Sequence, residues 1–145
     1  MTDTLLFWFI QLPGWALFFY LVYAQCPAAI RYEWGVRMGT QEPVERITEV
    51  GKAFWWGLAL ADLLFYTPLL GIGLAGQAFG STWALPVLAA ALGVTVYWPV
   101  ACLAAVAAAR GAPGWSLPKE RDYWIVLPVI AGWAGLALLG LTVTG

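Results

Sequence analysis

Histidine is absent from the 145 residues, cysteine occurs twice, and seven basic and eight acidic side chains supply all the formal charge. Each shortage excludes a class of chemistry. A structural zinc site is built from four Cys or His ligands and haem most often takes an axial His, so Cys26 and Cys102 support neither, and no metal or cofactor is expected. Both thiols are read as packing residues. Without His there is no Ser-His or Cys-His pair, and the zincin, phosphate-loop and dinucleotide fingerprints are missing, so no catalytic residue is assigned and an enzyme is not expected. A net charge of −1 leaves no basic field for nucleic acid.

What remains is apolar. Hydrophobic residues make up 62% of the chain and charged residues 10%, against about 45–50% and about 25% in soluble domains. A single domain this small cannot bury so much apolar surface from water, so lipid must cover part of it. Ten Trp agree, because indole favours the membrane interface.

The apolar runs divide the chain into four spans at about 4–25, 52–76, 83–110 and 123–141, with a polar connector over 26–51. The expectation is one integral membrane domain over 1–145, an all-α membrane protein: a four-transmembrane-helix bundle with a short interfacial amphipathic helix between its first two spans. The first span is read as a permanent helix rather than a cleaved signal. It has no basic n-region, Pro27 follows the candidate cleavage point, and Gln25 stands where lipoprotein processing needs a small residue. Pro13 within it frees a backbone carbonyl that a neighbouring helix must satisfy. In the connector, Ile30, Trp34 and Met38 recur at helical spacing with charges between them, which suits a helix in the headgroup plane. The segment EPVERITEVGK is expected to start a turn at Pro43 and run into the second span with a bend at Gly51.

All the basic residues, Arg31, Arg37, Arg46, Lys52, Arg110, Lys119 and Arg121, fall in the first and third connections or at their edges. By the positive-inside rule those connections are cytoplasmic and both termini lie on the non-cytoplasmic side of an inner or plasma membrane. The third and fourth spans carry small residues, with Gly93 near the centre of one and Ala131 and Gly135 at small-xxx-small spacing in the other. Such faces serve packing or association with a second copy or another membrane subunit.

The second span holds Asp62 near its middle. Its 25 residues make a helix of roughly 37 Å, more than the roughly 30 Å hydrocarbon layer, so Asp62 falls close to the midplane. A charged Asp there costs about 2.5 to 3.5 kcal/mol on insertion scales and has to face the bundle interior. Placed by depth, Gln11, Asp62, Tyr66, Thr95 and Tyr97 come from three spans and are expected to form one polar layer. Two functions follow. One is a structural, accessory-subunit bundle that packs against itself or other subunits; the other is a small proton-linked transporter or ligand carrier using Asp62 as its protonatable group, with the neighbouring polar residues around it.

Overall fold

The computed structural model describes residues 2–144 and, among them, holds helices and no strand. The elements are α1 (Thr2–Ile30), α2 (Tyr32–Arg37), α3 (Val44–Ala61), a π-helical turn (Asp62–Tyr66), α4 (Thr67–Ala78), α5 (Ala84–Ala109) and α6 (Glu120–Thr144). Beyond a break at Thr48, helix α3, the π turn and α4 run on as one rod. The described chain thus has four helices long and apolar enough to cross a membrane, joined up and down, with the short α2 between the first two. Its outside is as apolar as its inside: Leu64 is 70% exposed and Phe65 64%. That inversion is tolerable only where lipid replaces water.

Helix α1 runs five residues further than position 25, through Pro27. Its last turn remains closed, because Arg31 N–H donates to the Pro27 carbonyl at 2.9 Å. The expected face of the connector helix points outward, with Ile30, Trp34 and Met38 exposed and Tyr32 and Gly35 turned in. Gly35 is needed there, since a Cβ would lie 2.5 Å from Gln41 Cγ and 3.0 Å from Ala28 Cβ. Its carbonyl accepts from Thr40 N–H at 2.9 Å and Gln41 N–H at 3.2 Å, folding the chain back after α2.

The break at the head of the second span falls at Thr48 rather than Gly51. Thr48 takes φ 64°, ψ 168°, and its hydroxyl accepts from Gly51 N–H at 3.4 Å, the arrangement of an N-cap from which the helix restarts. Gly51 is instead a seat for Trp115, whose ring carbon would stand 3.0 Å from a Cβ. Ser116 N–H donates to the Arg46 carbonyl at 2.7 Å, so the two charged connections are bound together at one end of the bundle.

The wide turn at Asp62–Tyr66 also has a local cause. Pro68 has no N–H to offer the Leu64 carbonyl, and its ring crowds that carbonyl in a regular helix. One extra residue in the turn relieves the crowding, and Thr67 N–H bonds back to the Asp62 carbonyl.

Candidate functional site

At the end of the bundle away from the charged connections the helices are locked together. Gln11 Nε2 donates to the Leu74 carbonyl at 3.0 Å and to Gln77 Oε1 at 2.9 Å, while Trp15 Nε1 donates to Gln11 Oε1 at 2.8 Å. Trp133 Nε1 donates at 2.8 Å to the Phe9 carbonyl, the acceptor that Pro13 leaves without its helical donor. Helix α6 thereby satisfies α1. Beside this bond Gly140 fits against Leu6, whose Cδ1 would be 2.6 Å from a Cβ.

Toward the charged connections α1 and α6 part, and a cavity of about 440 Å³ opens between them, α3 and α5. Each helix lines it with one face: Tyr20 and Tyr23 on α1, Trp55 and Leu58 on α3, Trp98 and Cys102 on α5, Tyr123, Leu127 and Ile130 on α6. Trp55 and Tyr123 come together, with ring centroids 6.3 Å apart. Gln41, Glu42, Lys119 and Asp122 form the mouth, and Asp62 lies deepest along the second span. The mouth loop is tied down by Tyr32, whose hydroxyl donates to the Glu42 carbonyl at 3.0 Å. Burial, with the negative charge of Glu42 and Glu33 adding to it, pushes the Tyr32 phenol above its ordinary range, so it stays a donor.

Asp62 is 9% exposed, and that exposure is to the cavity. Among the described residues nothing donates a hydrogen bond to its carboxyl and nothing forms an ion pair with it. The charged neighbours at the mouth are occupied with one another in part, as in the Arg46–Glu42 pair at 3.5 Å.

The five residues expected in one layer are distributed over four places, Asp62 alone lining the cavity. Tyr66 and Thr95 are buried together, with 2.6 Å between their hydroxyl oxygens. Thr95 spends its proton on the Ala91 carbonyl at 2.8 Å, so Tyr66 is the donor of that pair. Neither lines the cavity: the extra residue in the π turn rotates Tyr66 off the face of Asp62 and into the α5 contact. Gln11 meets α4 at Leu74, twelve residues beyond Asp62 and so roughly 18 Å along the helix. Tyr97 points away from the bundle and is 71% exposed.

Of the expected packing residues, Gly135 faces Val96 of α5, with 4.0 Å left for a Cβ, and Ala131 is half-buried. A Cβ at Gly93 would meet nothing within 4 Å.

The aromatic walls were the part that sequence reasoning missed. A signal exists in the sequence, because Trp55, Leu58 and Asp62 follow i, i+3, i+7 on one helix face, on the N-terminal side of Asp62 and away from Tyr66. Comparison with protein-family models, with curated proteins and with solved structures finds no match to this chain.

Proposed function

We propose that this multi-pass membrane protein is a small carrier or ligand-binding bundle in which Asp62 takes up a proton or a ligand through the cavity on the charged side. One observation carries the reading: a deeply placed carboxyl that faces a cavity and has no hydrogen-bond or ion-pair partner among the described residues. As a structural device Asp62 is costly, since a helix-centre Asp disfavours insertion by about 2.5 to 3.5 kcal/mol while a membrane hydrogen bond returns about 0.6 kcal/mol, and among the described residues no such bond is made. A membrane-permeant carbodiimide tests it. The reagent adds to protonated carboxyls, so digestion and mass spectrometry should find one adduct on the Asp62 peptide, absent in Asp62→Asn and declining as pH rises. Folded protein that gives no Asp62 adduct from acid to neutral pH would defeat the reading.

The cavity mouth is proposed to face the cytoplasm, with the termini and the 79–83 connection outside, because all the basic residues lie at or near the mouth end. On a Cys-free background, Glu45→Cys and Ser116→Cys should react with an impermeant maleimide from the cytoplasmic side only, and Phe79→Cys and Thr82→Cys from the opposite side only. The reverse pattern would invert the orientation.

A second reading, an accessory bundle that associates with itself or another subunit, keeps one observation in its favour. Gly93 and Gly132 leave open space beside their backbones that no part of the described chain fills. Small residues of that kind admit a neighbouring helix.

A further inference from the structure

We propose that the occupant of the cavity is an amphipathic organic cation, its charged centre against the Asp62 carboxylate and its apolar body between the rings of Trp55, Trp98 and Tyr123. The inference rests on the preceding reading of Asp62 as a ligand site and adds the class of ligand.

Charge decides the sign. Among the described residues the cavity holds no basic side chain at depth, and at its mouth Glu42 is paired with Arg46 while Asp122 stands with Lys119, so the mouth adds no net positive charge. An anion would meet an uncompensated carboxylate at the innermost point, where little water remains to screen it. The wall decides the kind of cation. A hard metal ion needs six or more oxygen ligands, or an octahedral shell, and the deep part of this cavity offers one carboxyl among aromatic and aliphatic side chains. Indole and phenol faces instead attract a diffuse organic cation and cover its apolar groups at once, with Trp the strongest partner. Size agrees: about 440 Å³ is far more than a proton or an alkali ion requires and lies within the range of small-molecule sites. The route in is also amphipathic. Between α1 and α6 the rim carries the exposed side chains of Tyr20, Tyr23 and Val126, so an apolar body can pass in from the leaflet while the charged centre stays near the polar mouth.

Tetraphenylphosphonium and tetraphenylborate, nearly identical in shape and opposite in charge, are the probes. Equilibrium binding is measured on the full chain in an uncharged detergent, with protein-free micelles as the blank. Saturable binding of the phosphonium, at least tenfold tighter than that of the borate, is expected. Asp62→Asn should weaken it at least tenfold, and Trp98→Ala or Trp55→Ala should each weaken it roughly 2- to 30-fold, the spread expected of one cation–π contact. The phosphonium should also protect Asp62 from the carbodiimide, which needs no variant to fold. Equal binding of the two ions, or no saturable phosphonium binding, overturns the proposal. If Asp62 still forms its adduct and the phosphonium gives no protection, the ligand site stands and the organic-cation assignment falls. If no adduct forms at all, the underlying reading falls with it.

Discussion

Gly73→Leu should prevent this bundle from forming. A Cβ at Gly73 would lie 3.0 Å from Leu88 Cα and 3.1 Å from Leu88 N, so the obstacle is the backbone of α5 rather than a side chain that can swing aside. Leu88 is itself fully buried, in the same cluster as Leu70, Leu74 and Leu92. Three residues on, Gly76 makes room for side chains of the same hairpin, since a Cβ there would lie 2.7 Å from the Trp83 ring and 2.8 Å from Ala84 Cβ. The hairpin of α4 and α5 thus depends on two backbones in contact, which is how membrane helices associate when no hydrophobic drive separates them from lipid. Over-packing a core costs about 1–3 kcal/mol, and a whole leucine against backbone belongs at or above the upper end of that range. Gly73→Ala should destabilise more mildly. Gly93→Ala, whose Cβ meets open space, should be neutral or stabilising by up to about 1 kcal/mol through helix propensity. Reversible unfolding in mixed micelles reads all three. Wild-type midpoints for both Gly73 variants would show that the two helices do not touch there.

The second large effect is on pH. If an organic cation and a proton compete for Asp62, the affinity for the cation falls as pH falls, approaching tenfold per pH unit once most of the free protein carries the proton, and becomes level at high pH. The sign follows from chemistry: binding the cation to protonated protein must release that proton, so lower pH opposes it. Other titratable groups line the cavity, with Cys102, Tyr20, Tyr23 and Tyr123 on its walls and Glu42, Asp122 and Lys119 at the mouth, and Tyr66 is buried behind the wall against Thr95. Asp62→Asn separates them, because Asn keeps the shape of Asp and cannot titrate. A level profile in Asp62→Asn, with Asp62→Glu retaining a slope, is the expected result. The same slope in wild type and Asp62→Asn would assign the linkage to the mouth acids and remove Asp62 from it.

Much of the architecture is legible in the residues. Long apolar runs set the four spans, because a segment of that length and composition has no stable place in water. The proline at position 13 announced an unsatisfied carbonyl in the first span, and Trp133 supplies the donor. Pairing of the charged connections at one end of the bundle follows from an up-and-down chain once the spans are known, and the contact of Ser116 with Arg46 shows it.

Lateral arrangement was decided only in three dimensions. In a soluble helix the polar stripe tells which side faces out, but α1, α5 and α6 are apolar nearly all round, so lipid-facing and protein-facing sides are written in the same residues. Depth along the membrane can be read from residue number, whereas direction around each helix cannot. Gln11, Asp62, Tyr66, Thr95 and Tyr97 therefore looked like one layer. Packing places Gln11 on α4 at the locked end, pairs Tyr66 with Thr95 inside the core, and sends Tyr97 outward. The π turn compounds this, since one extra residue changes the face of everything after Asp62. The sequence by itself determined that a carboxyl sits deep in the second span; that it faces an aromatic cavity, without a partner among the described residues, was decided by how α1 and α6 diverge from their locked end.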